Sequence, residues 1–197
     1  MSERLSRVER NTKETAITVS LNLDGDGSKY SIATGIGFFD HMLSGFARHG
    51  FFDLDVKCKG DLEVDGHHTV EDVGIVIGQA IKKAVGDKKG IKRYGNFILP
   101  MDDALVLCAL DLSGRPYLGF DYDFKVERCG DFETQLVHEF FYALSYAAEM
   151  NIHLQVLSGT NAHHIIEAMF KAFGKALDQA VSYDPRITGV LSTKGTI

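Results

Sequence analysis

Two short motifs constrain this chain more than any other feature. Gly66-His67-His68-Thr69-Val70-Glu71-Asp72 is echoed, 96 residues on, by the histidines and glutamate of Asn161-Ala162-His163-His164-Ile165-Ile166-Glu167-Ala168. If each motif opens a helix, its glutamate stands four residues after the first histidine and three after the second. It then lies near either ring on one helix face. The two adjacent rings are about 100° apart around the axis, from 3.6 residues per turn. They cannot easily grip one ion together. Each motif is therefore shaped to serve two metal ions, with its glutamate completing the shell of one. A single His pair is ordinary as a surface or capping feature. Two copies at matching places are hard to explain by packing.

The echo extends along the chain. Residues 15–23 alternate apolar and polar and are rich in β-branched side chains, which reads as a half-buried strand. Asp24-Gly25-Asp26-Gly27 reads as a turn, residues 29–34 as a second strand and Phe38–His49 as a helix closed by Gly50. A strand over Phe51–Lys57 and a long helix over Thr69–Val85 follow. Gly86-Asp87-Lys88-Lys89-Gly90 breaks the pattern, and the second half runs through the same order. Phe97–Leu112 and Tyr117–Phe124 are strand-like, Leu136–Glu149 is helical, Ile152–Leu157 is a strand and Ile165–Val181 a helix. A shift of 89 carries Leu21-Asn22-Leu23 onto Leu110-Asp111-Leu112, and one of 98 carries Leu54 and Val56 onto Ile152 and Leu154. The shift of 96 that relates the His pairs also carries Gly78 onto Gly174. The expectation is an internally duplicated α+β fold with ββαβα halves at 1–90 and 91–197, each a sheet covered by two helices on one face.

Composition narrows the function. The 197 residues are 45% hydrophobic and 24% charged, enough for one double-sized or two small cores. A net charge of -6 without a basic stripe argues against a nucleic-acid partner. Cys58, Cys108 and Cys129 are isolated, which fits a reducing compartment and neither a disulfide framework nor a thiolate zinc site. The stretch Met1–Glu14 is polar, and no apolar run reaches the roughly 18 residues of a membrane span. Neither a signal peptide nor a membrane helix is expected, and the chain reads as cytoplasmic.

The duplication points to further ligands. His41 heads the first helix of half one, and a shift of 98 lands on Glu139, beside His138. The candidate set is His41, His67, His68, Glu71, His163, His164, Glu167 and either His138 or Glu139. That is eight nitrogen and oxygen ligands, four for each of two ions. Imidazole with carboxylate suits Mn, Fe, Co, Ni or Zn, and the absence of thiolate speaks against structural zinc.

At these residues the chain resembles the imidazoleglycerol-phosphate dehydratase family of histidine biosynthesis, over nearly its whole length. The motifs that carry the likeness include Arg10-Asn11-Thr12-Lys13-Glu14-Thr15, Phe39-Asp40-His41-Met42-Leu43, both His-His motifs, Pro100-Met101-Asp102, Ser113-Gly114-Arg115-Pro116 and Ser192-Thr193-Lys194-Gly195. The resemblance implies a twofold-repeated sandwich of the ribosomal protein S5 domain 2-like type. It also implies two Mn2+ ions per active site and a homo-oligomer of twenty-four subunits with sites between subunits. The reaction implied is dehydration of imidazole glycerol phosphate to imidazole acetol phosphate. The proton to be lost is not acidic, and general catalysis of about 10²–10⁴-fold does not overcome that barrier. Two metals holding the imidazole as an imidazolate could expel the hydroxyl through a diazafulvene-like intermediate. The chain departs from the family at one place. Members often carry His-Phe-Phe where this chain has Glu139-Phe140-Phe141. The repeat register favours Glu139 as ligand, the family's chemistry favours imidazole, and His138 could serve only with a shifted helix start.

The resemblance also implies catalytic roles for Glu14 and Glu167, and substrate contacts from Glu14, His41, Arg93, Arg115, Ser192 and Lys194. By local sequence alone Glu14 is a surface carboxylate. Arg93 and Arg115 offer forked donors suited to phosphate, and the Ser-Thr-Lys-Gly tail is expected to order on assembly. His49 and His153 read as structural, with positive charge on His49 favoured at a helix end. Lys171 and Lys175 read as a solvated helix face. A di-metal lyase competes with a non-catalytic, cage-forming metal binder, for which a phosphate clasp would have no use. A di-metal hydrolase is weaker, because no separate nucleophile is evident.

Overall fold

The computed structural model describes residues 4–197, so residues 1–3 of the polar N-terminal stretch lie outside the described residues. The first half contains β1 (Leu5–Asn11), β2 (Thr15–Asn22), β3 (Tyr30–Ala33), α1 (Gly37–Gly50), β4 (Asp53–Gly60) and α2 (His67–Val85). The second contains β5 (Tyr94–Met101), β6 (Ala104–Asp111), β7 (Tyr117–Asp121), the short pair β8 (Arg128–Cys129) and β9 (Phe132–Glu133), α3 (Leu136–Ala148), β10 (Asn151–Ser158) and α4 (Ala162–Val181). The main sheet of each half therefore has one more strand than the sequence pattern suggested, and the second half adds the separate β8–β9 pair. β1 lies in the stretch read as merely polar, and the run read as one strand over 97–112 is the β5–β6 hairpin.

The two sheets share one plan. Strand order is β1-β2-β4-β3 in one and β5-β6-β10-β7 in the other, with the last pair parallel in each. Ser6 pairs with Leu21, and Gly95 pairs with Leu110, each member shifted by the same 89 residues. Helices cover one face of each sheet. Across the middle, α2 packs on α3 and α1 on α4, so four helices lie between two sheets. The core is continuous across the halves. Phe39, Phe140 and Phe170 meet at ring separations of 5.0 to 6.3 Å, and Phe46 stacks on Phe173 at 5.3 Å. The α2–α3 crossing works differently. A methyl on Gly74 or Gly78 would sit 2.8 or 2.6 Å from the carbonyls of Phe140 and Leu144, so these glycines let two backbones touch. No helix among the described residues is long and apolar enough to cross a membrane.

One pair of equivalent positions yields a stability prediction. In half one, the Ser6 hydroxyl donates to the Ala80 carbonyl on α2 at 2.8 Å. The equivalent Gly95 faces the Ala176 carbonyl on α4, where a Cβ would lie only 1.8 Å away. Gly95→Ala must therefore push α4 off its sheet. The expected loss is about 3 kcal/mol, the upper range for overpacking, or roughly 6–12 °C in Tm at this size. Thermal unfolding of the variant checks this, and an unchanged Tm would refute the close approach.

Candidate active site and metal centre

Both His-His motifs do open helices. Asn161 caps α4 from an extended backbone, its side-chain oxygen accepting from the amides of His163 and His164. At α2 the Asp65 carboxylate accepts from the His67 amide at 2.7 Å. The paired rings splay as the helical geometry requires. His67 and His68 are 6.2 Å apart at 89°, and His163 and His164 6.1 Å apart at 77°. Each pair thus presents one ring to its own glutamate and one elsewhere.

The first ring of each pair meets the glutamate four residues on. His163 Nε2 is 3.2 Å from Glu167 Oε2, and His67 Nε2 is 3.6 Å from Glu71 Oε2. At α4 the neighbouring α1 adds His41, whose Nε2 lies 3.6 Å from the same Glu167 oxygen. One ligand atom from each of His41, His163 and Glu167 falls within 4.8 Å of the others. Phe38 closes one side, its ring edge-on to His163 at 5.1 Å. Glu167 is buried, which works against its charge. The Lys171 ammonium at 2.6 Å, with His41 and His163, more than offsets this and holds its pKa below the ordinary glutamate value. Lys171 is only 17% exposed, and Lys175 lies over the Phe51 ring at 4.0 Å, so this helix face is not simply solvated.

The second ring of each pair is pinned through Nδ1. Asp61, after β4, lies 3.0 Å from His68 Nδ1, and Asp103, in the β5–β6 turn, lies 2.8 Å from His164 Nδ1. A carboxylate on Nδ1 leaves Nε2 as the outward ligand atom, the usual arrangement behind a metal-bound histidine. The Asp61 hydrogen bond, with Glu14 nearby, raises the His68 pKa. Asp103 also accepts from the amides of Thr160 and Asn161, and with His164 these hold its carboxyl well below the usual range. Neither Asp61 nor Asp103 stood out in the sequence, where both look like turn residues. The signal available was, for Asp61, its place in the link before the first His pair and, for Asp103, its equivalence to Glu14 under the shift of 89.

Glu14 sits in the β1–β2 hairpin, at the position equivalent to Asp103. Its Oε1 comes 3.9 Å from His68 Nε2. His138 and Glu139 are not gathered with His67 and Glu71. His138 Nδ1 is 3.2 Å from Glu139 Oε1, and its ring stacks on Tyr142 and meets Phe120 edge-on. Both residues line a cavity of about 430 Å³ beside β7. Among the described residues the three-ligand group is His41, His163 and Glu167 alone.

Arg93, Arg115, Ser192 and Lys194 share one cavity of about 740 Å³. Arg93 is already engaged. It pairs with Asp111 at 2.7 Å and donates to the Leu191 carbonyl. The segment leading into the tail is tied back to its own chain, through Gly90 to Gly189 and a bridge from Lys89 to Val190. His49 also departs from expectation, since burial and then the nearby Lys171 lower its pKa and disfavour positive charge. His153 packs on Tyr117 at 5.3 Å.

Fold and site together define an α+β sandwich that carries histidine–carboxylate clusters at the starts of its helices. The profile of imidazoleglycerol-phosphate dehydratase matches residues 34–177. The imidazoleglycerol-phosphate dehydratase of Lachnoclostridium phytofermentans is 63% identical over 98% of both chains, and that of Acetivibrio thermocellus 63% identical over 99% of this chain and all of its own. The crystal structure of the Staphylococcus aureus enzyme superposes with a TM-score of 0.82 at 39% identity, covering 91% of this chain and 99% of that one. The Pyrococcus furiosus structure, in complex with (S)-C348, gives 0.83 at 40% identity, covering 96% and 100%. The chain belongs to the imidazoleglycerol-phosphate dehydratase family, lyases of histidine biosynthesis.

Proposed function

We propose that this chain dehydrates D-erythro-imidazole glycerol phosphate to imidazole acetol phosphate with two divalent ions per active site, Mn2+ foremost. The observation that carries this is the convergence of His41, His163 and Glu167 within 4.8 Å. Two imidazoles and a carboxylate without thiolate suit Mn, Fe, Co, Ni or Zn. The residues that would hold the ions are His41, His67, His68, Glu71, His163, His164 and Glu167, with His138 or Glu139 completing the set. When bound there, such ions would supply Lewis-acid polarisation of the substrate's imidazole, which eases departure of the hydroxyl.

The chain's own residues do the rest. Asp61 and Asp103 fix which ring nitrogen of His68 and His164 faces outward. Glu14 carries the proton, taking it from carbon or giving it to the leaving hydroxyl at its exposed carboxylate. Comparison of the halves favours this choice. Asp103 is spent on His164, Thr160 and Asn161, whereas Asp61 does the pinning in half one and leaves Glu14 free.

The phosphate belongs with Arg115, Ser192 and Lys194, beside Arg93. That cavity lies at the far end of α4, where the Arg93 amide donates to the Ala180 carbonyl. From His163 to Ala180 is about 25 Å at 1.5 Å per residue, too far for one small substrate. This supports sites completed between subunits; the family resemblance adds a shell of twenty-four, and the repeat registers the duplicated halves 1–90 and 91–197. The setting is cytoplasmic.

Turnover of imidazole glycerol phosphate by the Mn-loaded protein, with native mass before and after chelation, tests this reading. Chelation is expected to abolish turnover and release smaller oligomers, and Mn2+ to restore both. Arg115→Ala and Lys194→Ala should chiefly raise KM, since phosphate lies away from the reacting carbons. Full turnover in chelator, at full oligomer size, would overturn the proposal.

A further inference from the structure

We infer that Asp72, with Arg10 and Thr15, is a positioning lock that holds the β1–β2 hairpin, and with it Glu14, at the head of α2. The inference rests on the reading of Glu14 as proton carrier. Asp72 is 5% exposed and follows Glu71 directly on α2. Its Oδ2 accepts from Arg10 Nη1 and from the Thr15 hydroxyl, so two residues of the hairpin's arms close on one helix carboxylate. Above them the turn is drawn tight. The Thr12 hydroxyl accepts from the amides of Glu14 and Thr15 at 3.1 and 3.0 Å, and the Thr12 amide donates to the Thr15 carbonyl at 2.8 Å. Glu14 is thus fixed through its backbone on both sides, while its carboxylate stays 54% exposed near His68.

The second half provides the internal control. By the registers that relate the sheets and the helices, Arg10, Thr15 and Asp72 correspond to Leu99, Ala104 and Ala168. All three are buried and apolar. The same architecture is therefore built without the polar trio, and folding alone does not require it. Buried ion pairs contribute little net stability over well-packed apolar groups, whereas this one ties both arms of the hairpin to α2. The half that keeps the trio is the half whose hairpin presents a free glutamate. In the other half Asp103 orders its own turn by accepting from Thr160 and Asn161.

The test copies one half into the other. The triple variant Arg10→Leu/Thr15→Ala/Asp72→Ala is expected to lose about 10- to 100-fold in kcat, the effect of a small misplacement of a catalytic group. KM, Mn content and Tm should stay near those of the parent. In the metal-free protein, hydrogen exchange at the amides of Thr12, Glu14 and Thr15 should quicken while that of α2 does not. Asp72→Asn, which keeps the shape but not the charge, should show the same pattern more weakly and serves if the triple variant does not fold. In a Glu14→Gln background the triple change should add no further loss. Parental kcat in the triple variant beside a slow Glu14→Gln overturns the lock alone. Parental turnover in Glu14→Gln itself overturns the reading of Glu14 instead. Unchanged hairpin exchange in both lock variants overturns the positioning role whatever the kinetics.

Discussion

Glu14→Gln is expected to turn over about 10²–10⁴-fold more slowly than the parent while binding the same Mn2+ per subunit and assembling normally. That is roughly 3–5 kcal/mol of barrier. Glutamine keeps the length of the side chain and an acceptor oxygen, but it cannot take up or release the proton. Metal content should hold because Glu14 lies outside the group formed by His41, His163 and Glu167. It also lies outside the His67–Glu71 pair, approaching only His68 Nε2, at 3.9 Å. Stability should hold as well, because the Glu14 contact that orders the turn runs through its amide to the Thr12 hydroxyl. Turnover and bound Mn2+ are measured on the same preparation. A variant that works like the parent, or that loses metal, would show that the division between ligands and proton carrier is wrong.

The parts of the site legible in the sequence were those set by helix periodicity. Two His-x-x-x-Glu spacings placed His67 with Glu71 and His163 with Glu167, and the structure keeps both pairs in reach. Less legible was whatever depends on partners distant in sequence. β1 is the clearest case. Its inward positions are Ser6, Val8 and Arg10, so the alternation has little apolar content. Ser6 is satisfied by the Ala80 carbonyl and Arg10 by Asp72, more than 60 residues away, which no local pattern reveals. The β5–β6 hairpin was hidden for a different reason. Its turn, Asp102-Asp103, has neither glycine nor proline, and Asp102 takes the positive φ of 48° itself. Lys171 looked solvated because helical spacing cannot show that Glu167, one turn back, is buried and in need of a cation.

Burial also separates the two motif glutamates, so the same substitution should act differently on each. If His41, His163 and Glu167 hold an ion as proposed, Glu167→Gln is expected to lose bound Mn2+ and to fall more than about 10²-fold in turnover. That exceeds the 10–100-fold typical of a partner outside the ligand shell. It should also destabilise the metal-free protein by about 1–3 kcal/mol, because Lys171 would keep its charge in a largely buried place with only an amide beside it. The pH dependence follows from the lowered pKa of Glu167. The stability it contributes is present above the ordinary glutamate range and is lost as pH falls through the lower folded value. The difference between parent and variant should therefore be full at neutral pH and shrink in acid. Glu71 is 41% exposed and among the described residues pairs only with His67, at 3.6 Å, so Glu71→Gln should lose metal with little change in apo stability. Metal analysis, turnover and chelator-treated Tm across pH on both variants separate the roles. Parental Mn2+ content in Glu167→Gln would remove Glu167 from the ligand set, and equal apo stability of the two variants would mean that its pairing with Lys171 contributes nothing to the fold.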